Sequence, residues 1–307
     1  MSLSKIIKMK YLEIVNKIII NTLKKKNNYL IYGQNINSGT YISGLSKNID
    51  SIKKSKIFNT PNCEYSMIGA GFGVMIAEGN AIYFGKQLDF LLLGADHFVN
   101  TLNAIKTNYK KLKGSYTIIT FTCDQGFQGP QSSFNNIDDL SSLAQFDTYQ
   151  INTLYEAEKI IPYAINKRGF KIISIGQRLS GQEIYSENPT HISKNYSFLN
   201  YHNNREIMII CSNFSFYYAL ELKENLLKKK NVGIINVNFL EKLDFKTLFD
   251  GIKFSQELIF ISDTKSINHR FFYIAAEIRK KFNKKIKYIY RDKFTWNVQK
   301  DNLNIIL

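Results

Sequence analysis

Glu64 lies in the stretch TPNCEYSMIGAGFGVMIAEG, Thr60 to Gly79, directly ahead of an apolar, glycine-studded helical pattern. A carboxylate at a helix start offsets the macrodipole and the unpaired amides, an effect of roughly 0.3–1 kcal/mol. The same carboxylate, aimed at a bound nitrogen, would hold or move a proton. The stretch alone leaves both roles open. Gly69, Gly71 and Gly73 read G-x-G-x-G, but no G-x-x-G follows in the dinucleotide spacing. We therefore expect these glycines to admit another backbone close to the helix. A second chemistry-bearing stretch is CDQGFQGPQSS, a loop with two glycines and a proline at a strand's end, where function concentrates. His97, His191, His202 and His269 are not spaced as a metal set and read as packing or surface residues, and Asp138-Asp139 reads as a charged helix start. No G-x-S-x-G and no Walker loop is present.

Helical and strand patterns alternate around these stretches. YLEIVNKIIINTLKK has helical spacing, NYLIYG and KSKIFNT read as strands, and the helix carrying Glu64 follows. From Phe90 a long helix is expected, with Phe98, Leu102, Ile105, Tyr109 and Leu112 along one stripe. YTIITFT, TYQIN and FKIISI are strands, with the helix LYEAEKIIPYAINK between the last two. The polar, irregular stretch from Gln177 to Asn204 holds a linker, drawn at 186–204, between a first domain at 1–185 and a second at 205–307. The second domain again alternates: REIMIIC, VGIINV, ELIFIS and KIKYIY are strands, separated by three helical patterns. Regular βα alternation predicts two α/β domains, each a mainly parallel sheet flanked by helices. Ligands in such folds sit at the carboxyl ends of strands, which directs attention to the loops after KSKIFNT and YTIITFT.

Composition narrows the function classes. With 44% hydrophobic and 14% aromatic residues over 307 positions, the chain can bury two ordinary cores. The formal charge of +16 raises nucleic acid or membranes as partners. The lysines, however, are spread in short clusters with Asn and Ile, without an Arg-rich tract or a run of aromatics among them, so neither partner is expected. Cys63, Cys123 and Cys211 are odd in number and far apart, with no C-x-x-C pair, which excludes a disulfide scaffold or structural zinc site and fits a reducing cytosol. The N-terminus lacks a signal-peptide core and no apolar run reaches about 18 residues. A soluble, cytoplasmic protein is expected.

Three segments in order carry a resemblance. IFNTPNCEYSMIGAGFGV is similar to a segment with Thr-Pro, a glutamate and a small-residue helix. LDFLLLGADHFVN is similar to one with an aromatic followed by Asp-Gln-hydrophobic-hydrophobic-Asn, and GFQGPQSS to a Gly-Pro-Gln loop. Together they resemble the beta subunit of the thiamine-diphosphate-dependent 2-oxo acid (pyruvate) dehydrogenases, and more distantly the C-terminal two-thirds of transketolases. The resemblance covers nearly the full chain. It implies a transketolase-like pyrimidine-binding domain followed by a transketolase C-terminal-like domain. By the resemblance, Glu64 hydrogen-bonds a ring nitrogen of the cofactor's aminopyrimidine, favouring the imino tautomer that removes the thiazolium proton. Phe90 stacks on the pyrimidine, Lys86 lies beside the cofactor where an apolar residue is usual, and Gly129, Pro130, Gln131 and Ser132 face the substrate.

The chain departs from that family at Ser132, where a histidine is usual; a hydroxyl cannot exchange protons near neutral pH as imidazole does. His97 stands where a Gln is usual. The Gly-Asp-Gly…Asn motif for metal and diphosphate is absent. In the relatives it belongs to an alpha subunit, so the resemblance implies an alpha2-beta2 assembly whose partner supplies magnesium and diphosphate contacts, with no metal held by this chain. The implied reaction is cleavage or decarboxylation of a pyruvate-like 2-oxo acid with transfer of the two-carbon or acyl fragment, with a lipoyl-bearing partner as one acceptor. Ketol transfer between sugars, or a non-catalytic paralogue that stabilises a partner subunit, are the alternatives.

Overall fold

A computed structural model describes residues 10–25, 28–109, 111–123, 135–227, 230–264 and 270–289. The first sheet is wholly parallel, with strand order β2-β1-β3-β4-β6-β5. Its strands are β1 Leu30–Gly33, β2 Lys56–Asn59, β3 Asn80–Gln87, β4 Ser115–Thr122, β5 Asp147–Ile151 and β6 Gly169–Gly176. Helices α1 Tyr11–Lys25 and α5 Leu154–Asn166 cover one face, while α2 Glu64–Ile76, α3 Leu102–Asn108 and α4 Ile137–Ala144 cover the other. The second sheet has order β12-β11-β9-β10-β8-β7, built from β7 His191–Ile192, β8 Phe198–Asn200, β9 Ile207–Ser212, β10 Val232–Val237, β11 Glu257–Ile261 and β12 Lys285–Ile289. Here β9 to β12 run parallel, and β8 and β7 add antiparallel. α6 Phe216–Leu227, α7 Phe245–Ile252 and α8 Arg270–Arg279 flank it. Two mainly parallel sheets flanked by helices are what the βα alternation predicts.

Both central strands β4 and β9 are buried along their whole length, as β-branched and aromatic runs covered on two faces must be. One apolar core runs from α1 and α5 through Ile151 and Ile175 into Leu199, Ile209 and Phe216, so it is continuous between the two sheets. Tyr11 donates to the Ile151 carbonyl (2.5 Å) beneath it. The stretch 186–204 carries β7 and β8, which join the second sheet through β10.

Two local readings are corrected. The single long helix expected from Phe90 is three pieces: a 3-10 segment Leu88–Gly94, a π turn His97–Thr101, and α3. Phe98, Leu102 and Ile105 do form a buried stripe, but α3 ends before Tyr109, which is extended and exposed. Where the pieces meet, Gly94 lies against α2 so closely that a Cβ there would sit 2.5 Å from Ile68 Cδ1, and Phe98 is buried. The central strand β3, in turn, has no counterpart in the sequence reading; its apolar run is only Ala81–Phe84, followed by Gly-Lys-Gln.

Candidate active site

The first sheet's carboxyl edge assembles the candidate residues. After β2, Thr60 donates its amide to the Gly33 carbonyl (3.1 Å), fixing the chain at the end of β1. Cys63 donates its amide to the Pro61 carbonyl (3.1 Å), which closes the turn that launches α2. Cys63 is the N-cap but makes no side-chain cap bond, so Glu64 supplies the negative charge of the first turn. Glu64 is only 8% exposed. Among the described residues, no donor lies within hydrogen-bonding distance of its carboxylate and no cation pairs with it. Its carboxylate oxygens are not among the buried polar atoms left without a partner, so they reach solvent, where a donor from a bound molecule can meet them. The Thr60 hydroxyl, four residues earlier, is buried and unpartnered.

Beneath Glu64 three tyrosines from adjacent strands face α2. Tyr32 and Tyr83 are register partners whose rings stack at 5.2 Å, and Tyr32 donates to the Met67 carbonyl at 2.8 Å. Burial raises the Tyr83 phenol well above its ordinary range, and the charge of Glu64 raises it further. Tyr116 fills the floor, and burial raises its phenol in the same way.

Phe90 sits in the 3-10 segment that leaves β3, half-buried, with the ammonium of exposed Lys86 at 6.0 Å from its ring centroid. Glu64 follows β2 and Phe90 follows β3, the strands on either side of β1, and the contact of Gly94 with Ile68 ties their two segments together. The expected substrate loop, Gly129, Pro130, Gln131 and Ser132, lies outside the described residues. Its two stems are fixed nonetheless. Cys123 donates to Gln177 Oε1 at 2.7 Å and receives Gln87 Nε2 at 3.4 Å, joining the ends of β3, β4 and β6. On the other side Asn136 donates to Asp89, next to Phe90, and Asn135 donates to Asp263 Oδ2 at 3.4 Å.

No family model matches the sequence. Among solved structures, one match is a split-gene transketolase described as an inactive beta4 tetramer, with a TM-score of 0.67 over 95% of this chain and 90% of that one, at 13% identity. The fold is transketolase-like. At this identity the match speaks for the fold alone, and the transketolase-like fold places Glu64 and Phe90 at the strand ends where open α/β sheets bind ligands.

Several expectations about individual residues change. Gly69 and Gly71 do not admit a backbone, as read from the sequence, but rings. A Cβ on Gly69 would lie 2.7 Å from His97 Nε2, and one on Gly71 would overlap Tyr116, while Gly73 faces open space. His97 is half-buried; its Nδ1 is 3.0 Å from Thr101 Oγ1, and its ring lies 4.4 Å from that of Tyr65. His191 is exposed on β7; His202 is 3.2 Å from Lys223, and burial and then Lys223 lower its basicity. His269 lies outside the described residues. Among the described residues, no group of three or more His, Cys, Asp or Glu could hold a metal ion, and no helix is long and apolar enough to cross a membrane.

Two features were missed. Tyr32, Tyr83 and Tyr116 carried a signal, since Tyr32 and Tyr116 alternate with apolar residues inside the strands NYLIYG and YTIITFT. The other is Glu156, fully buried in the first turn of α5. The amides of Asn152 and Thr153 donate to its Oε2 (2.6 and 3.1 Å), and Asn236 from β10 donates to its Oε1 (2.5 Å). Burial outweighs these donors and pushes its carboxyl up to about 7. The spacing T-x-x-E of Thr153 to Glu156, a capping box, was the available clue.

Proposed function

We propose that this chain is the pyrimidine-binding and C-terminal half of a heteromeric thiamine-diphosphate enzyme. The observation that carries the reading is the unpartnered carboxylate of Glu64, a nearly buried residue at a helix start at the sheet's carboxyl edge, on the segment packed against the one that carries Phe90. The residues fit such a cofactor: Glu64 takes a donor from a ring nitrogen, and the half-exposed face of Phe90 lies against a planar ring. When bound, the cofactor supplies an electron sink for breaking a carbon–carbon bond next to a carbonyl. Glu64 would then hold the proton at that ring nitrogen, with the tyrosine floor packed under the helix that carries it.

Exposed Phe58, Tyr65, Leu92 and Leu93 surround these two segments, with Leu93 65% exposed. They form the apolar rim on which we place an alpha subunit bearing the diphosphate and magnesium contacts, in an alpha2-beta2 assembly. The reaction proposed is decarboxylation or cleavage of a pyruvate-like 2-oxo acid with transfer of the two-carbon or acyl fragment, to a lipoyl-bearing partner in one form. Ser132, which stands where the resembled family has a histidine, favours a second reading, ketol transfer between sugars, because it offers a hydroxyl where acyl transfer is served by imidazole. The test is to co-purify the chain with its alpha partner and compare pyruvate with ketose donors. Carbon dioxide release from pyruvate supports the first reading, and product formation from ketose plus aldose without carbon dioxide supports the second. No turnover of either class by the loaded complex refutes both and leaves a partner-stabilising paralogue.

A further inference from the structure

Several of the lysines spread along the sequence gather at one end of the second domain, at the amino ends of β11 and β12. Lys253 and Phe254 form the turn after α7, the run Arg279–Lys284 joins α8 to β12, and Lys285 opens β12. The run lines a recess of about 480 Å³. Two carboxylates beside it are already engaged: Glu277 pairs with Lys280 at 2.5 Å and Glu257 with Lys287 at 2.8 Å. Among the described residues, no carboxylate pairs with Lys253, Arg279, Lys281, Lys284 or Lys285. Like charges held together cost free energy that a complementary anion relieves.

An apolar anchor stands in the middle of this field. Phe254 is 72% exposed, yet its backbone is pinned on both sides. Its amide donates to Asn204 Oδ1 at 3.1 Å, and Lys284 Nζ donates to the carbonyls of Lys253 (3.1 Å) and Ser255. A ring held out on an ordered turn binds without a further ordering cost to the turn.

We infer that this face docks an acidic, extended segment of a partner polypeptide that sets an apolar side chain on Phe254. Carboxylates suit the face better than a nucleic acid does. Nucleic-acid binders offer several free aromatic faces for base stacking, whereas the rings around Phe254 carry ammonium groups: Lys281 lies 4.8 Å from the Phe249 centroid and Lys284 5.1 Å from that of Phe282. Four of the five unpaired cations are point-charge lysines, and only Arg279 has the planar fork that grips phosphate in two places.

The test uses the full chain and fluorescence anisotropy with a labelled oligo-glutamate peptide carrying one central leucine, at low ionic strength. The combined change Lys253→Glu, Lys281→Glu, Lys285→Glu should weaken binding by roughly tenfold or more. Phe254→Ala should weaken it by roughly fivefold, the worth of a modest apolar contact. The charge-matched control Lys17→Glu, Lys111→Glu, Lys159→Glu, on exposed lysines elsewhere, should leave it within about twofold. The inference is overturned if the control weakens binding as much as the patch variant, or if Phe254→Ala has no effect. It is also overturned if labelled oligo(dT) binds more tightly than the peptide and is lost in the same patch variant.

Discussion

Glu156 makes the stability of this protein depend on pH in a direction that most carboxylates do not. Its carboxyl titrates at about 7 in the folded chain, against an ordinary 4.5. A raised pKa means that the folded state holds the proton more tightly than the unfolded state. The associated stability is fully present below about 4.5 and is lost as pH rises through about 7. Two and a half units at about 1.4 kcal/mol each set the loss on the order of 3 kcal/mol. Glu156→Gln removes the charge and keeps an oxygen for the Asn152 and Thr153 amides, while Asn236 can turn its amide to offer the oxygen. The variant should match or slightly trail the parent at pH 4.5 and gain on it steadily to pH 8 or above. Urea denaturation of both chains across that range gives the difference directly, with the other titrating groups cancelling. A difference that stays flat across the range would refute the reasoning, because it would mean that the three donors hold Glu156 ionised throughout.

Other consequences follow from single contacts. Gly71→Ala presses a methyl group into the buried Tyr116 ring and should cost about 1–3 kcal/mol. Gly73→Ala meets nothing and should stabilise α2 by about 0.5–1 kcal/mol; melting temperatures moving in opposite directions would confirm the pair. Cys63 is exposed and its thiol is held below the usual range by the Ser66 hydroxyl and amide, whereas Cys123 and Cys211 are buried and burial raises Cys211. Brief iodoacetamide treatment of the folded chain near neutral pH should therefore label Cys63 alone, read by peptide mass spectrometry.

The two sheets were legible because parallel strands read as short apolar runs, and nine of them do so here with helical spacing between. β3 escaped because its second half, Gly85-Lys86-Gln87, is polar where the strand emerges at the site. The pieces after it escaped because 3-10 and π turns leave no periodic signature distinct from that of a helix, and the close contact of Gly94 with Ile68 is tertiary. Glu64 was visible as a charged helix start, but its lack of a partner is a fact of packing. Gly69 and Gly71 announced close approach, yet only the fold reveals that rings make it. Glu156 was readable as a capping residue; that β10 would seal it from water depends on how the second sheet meets α5.

The most direct test of the account is calorimetric titration of the chain, copurified with its alpha partner, with thiamine diphosphate and magnesium. Comparison with Glu64→Gln and Glu64→Ala isolates the carboxylate. Binding by the parent, with an affinity loss of roughly 1.4–3 kcal/mol in both variants, is the result predicted for a lost charge-assisted hydrogen bond. Parent binding that both substitutions leave unchanged would contradict it.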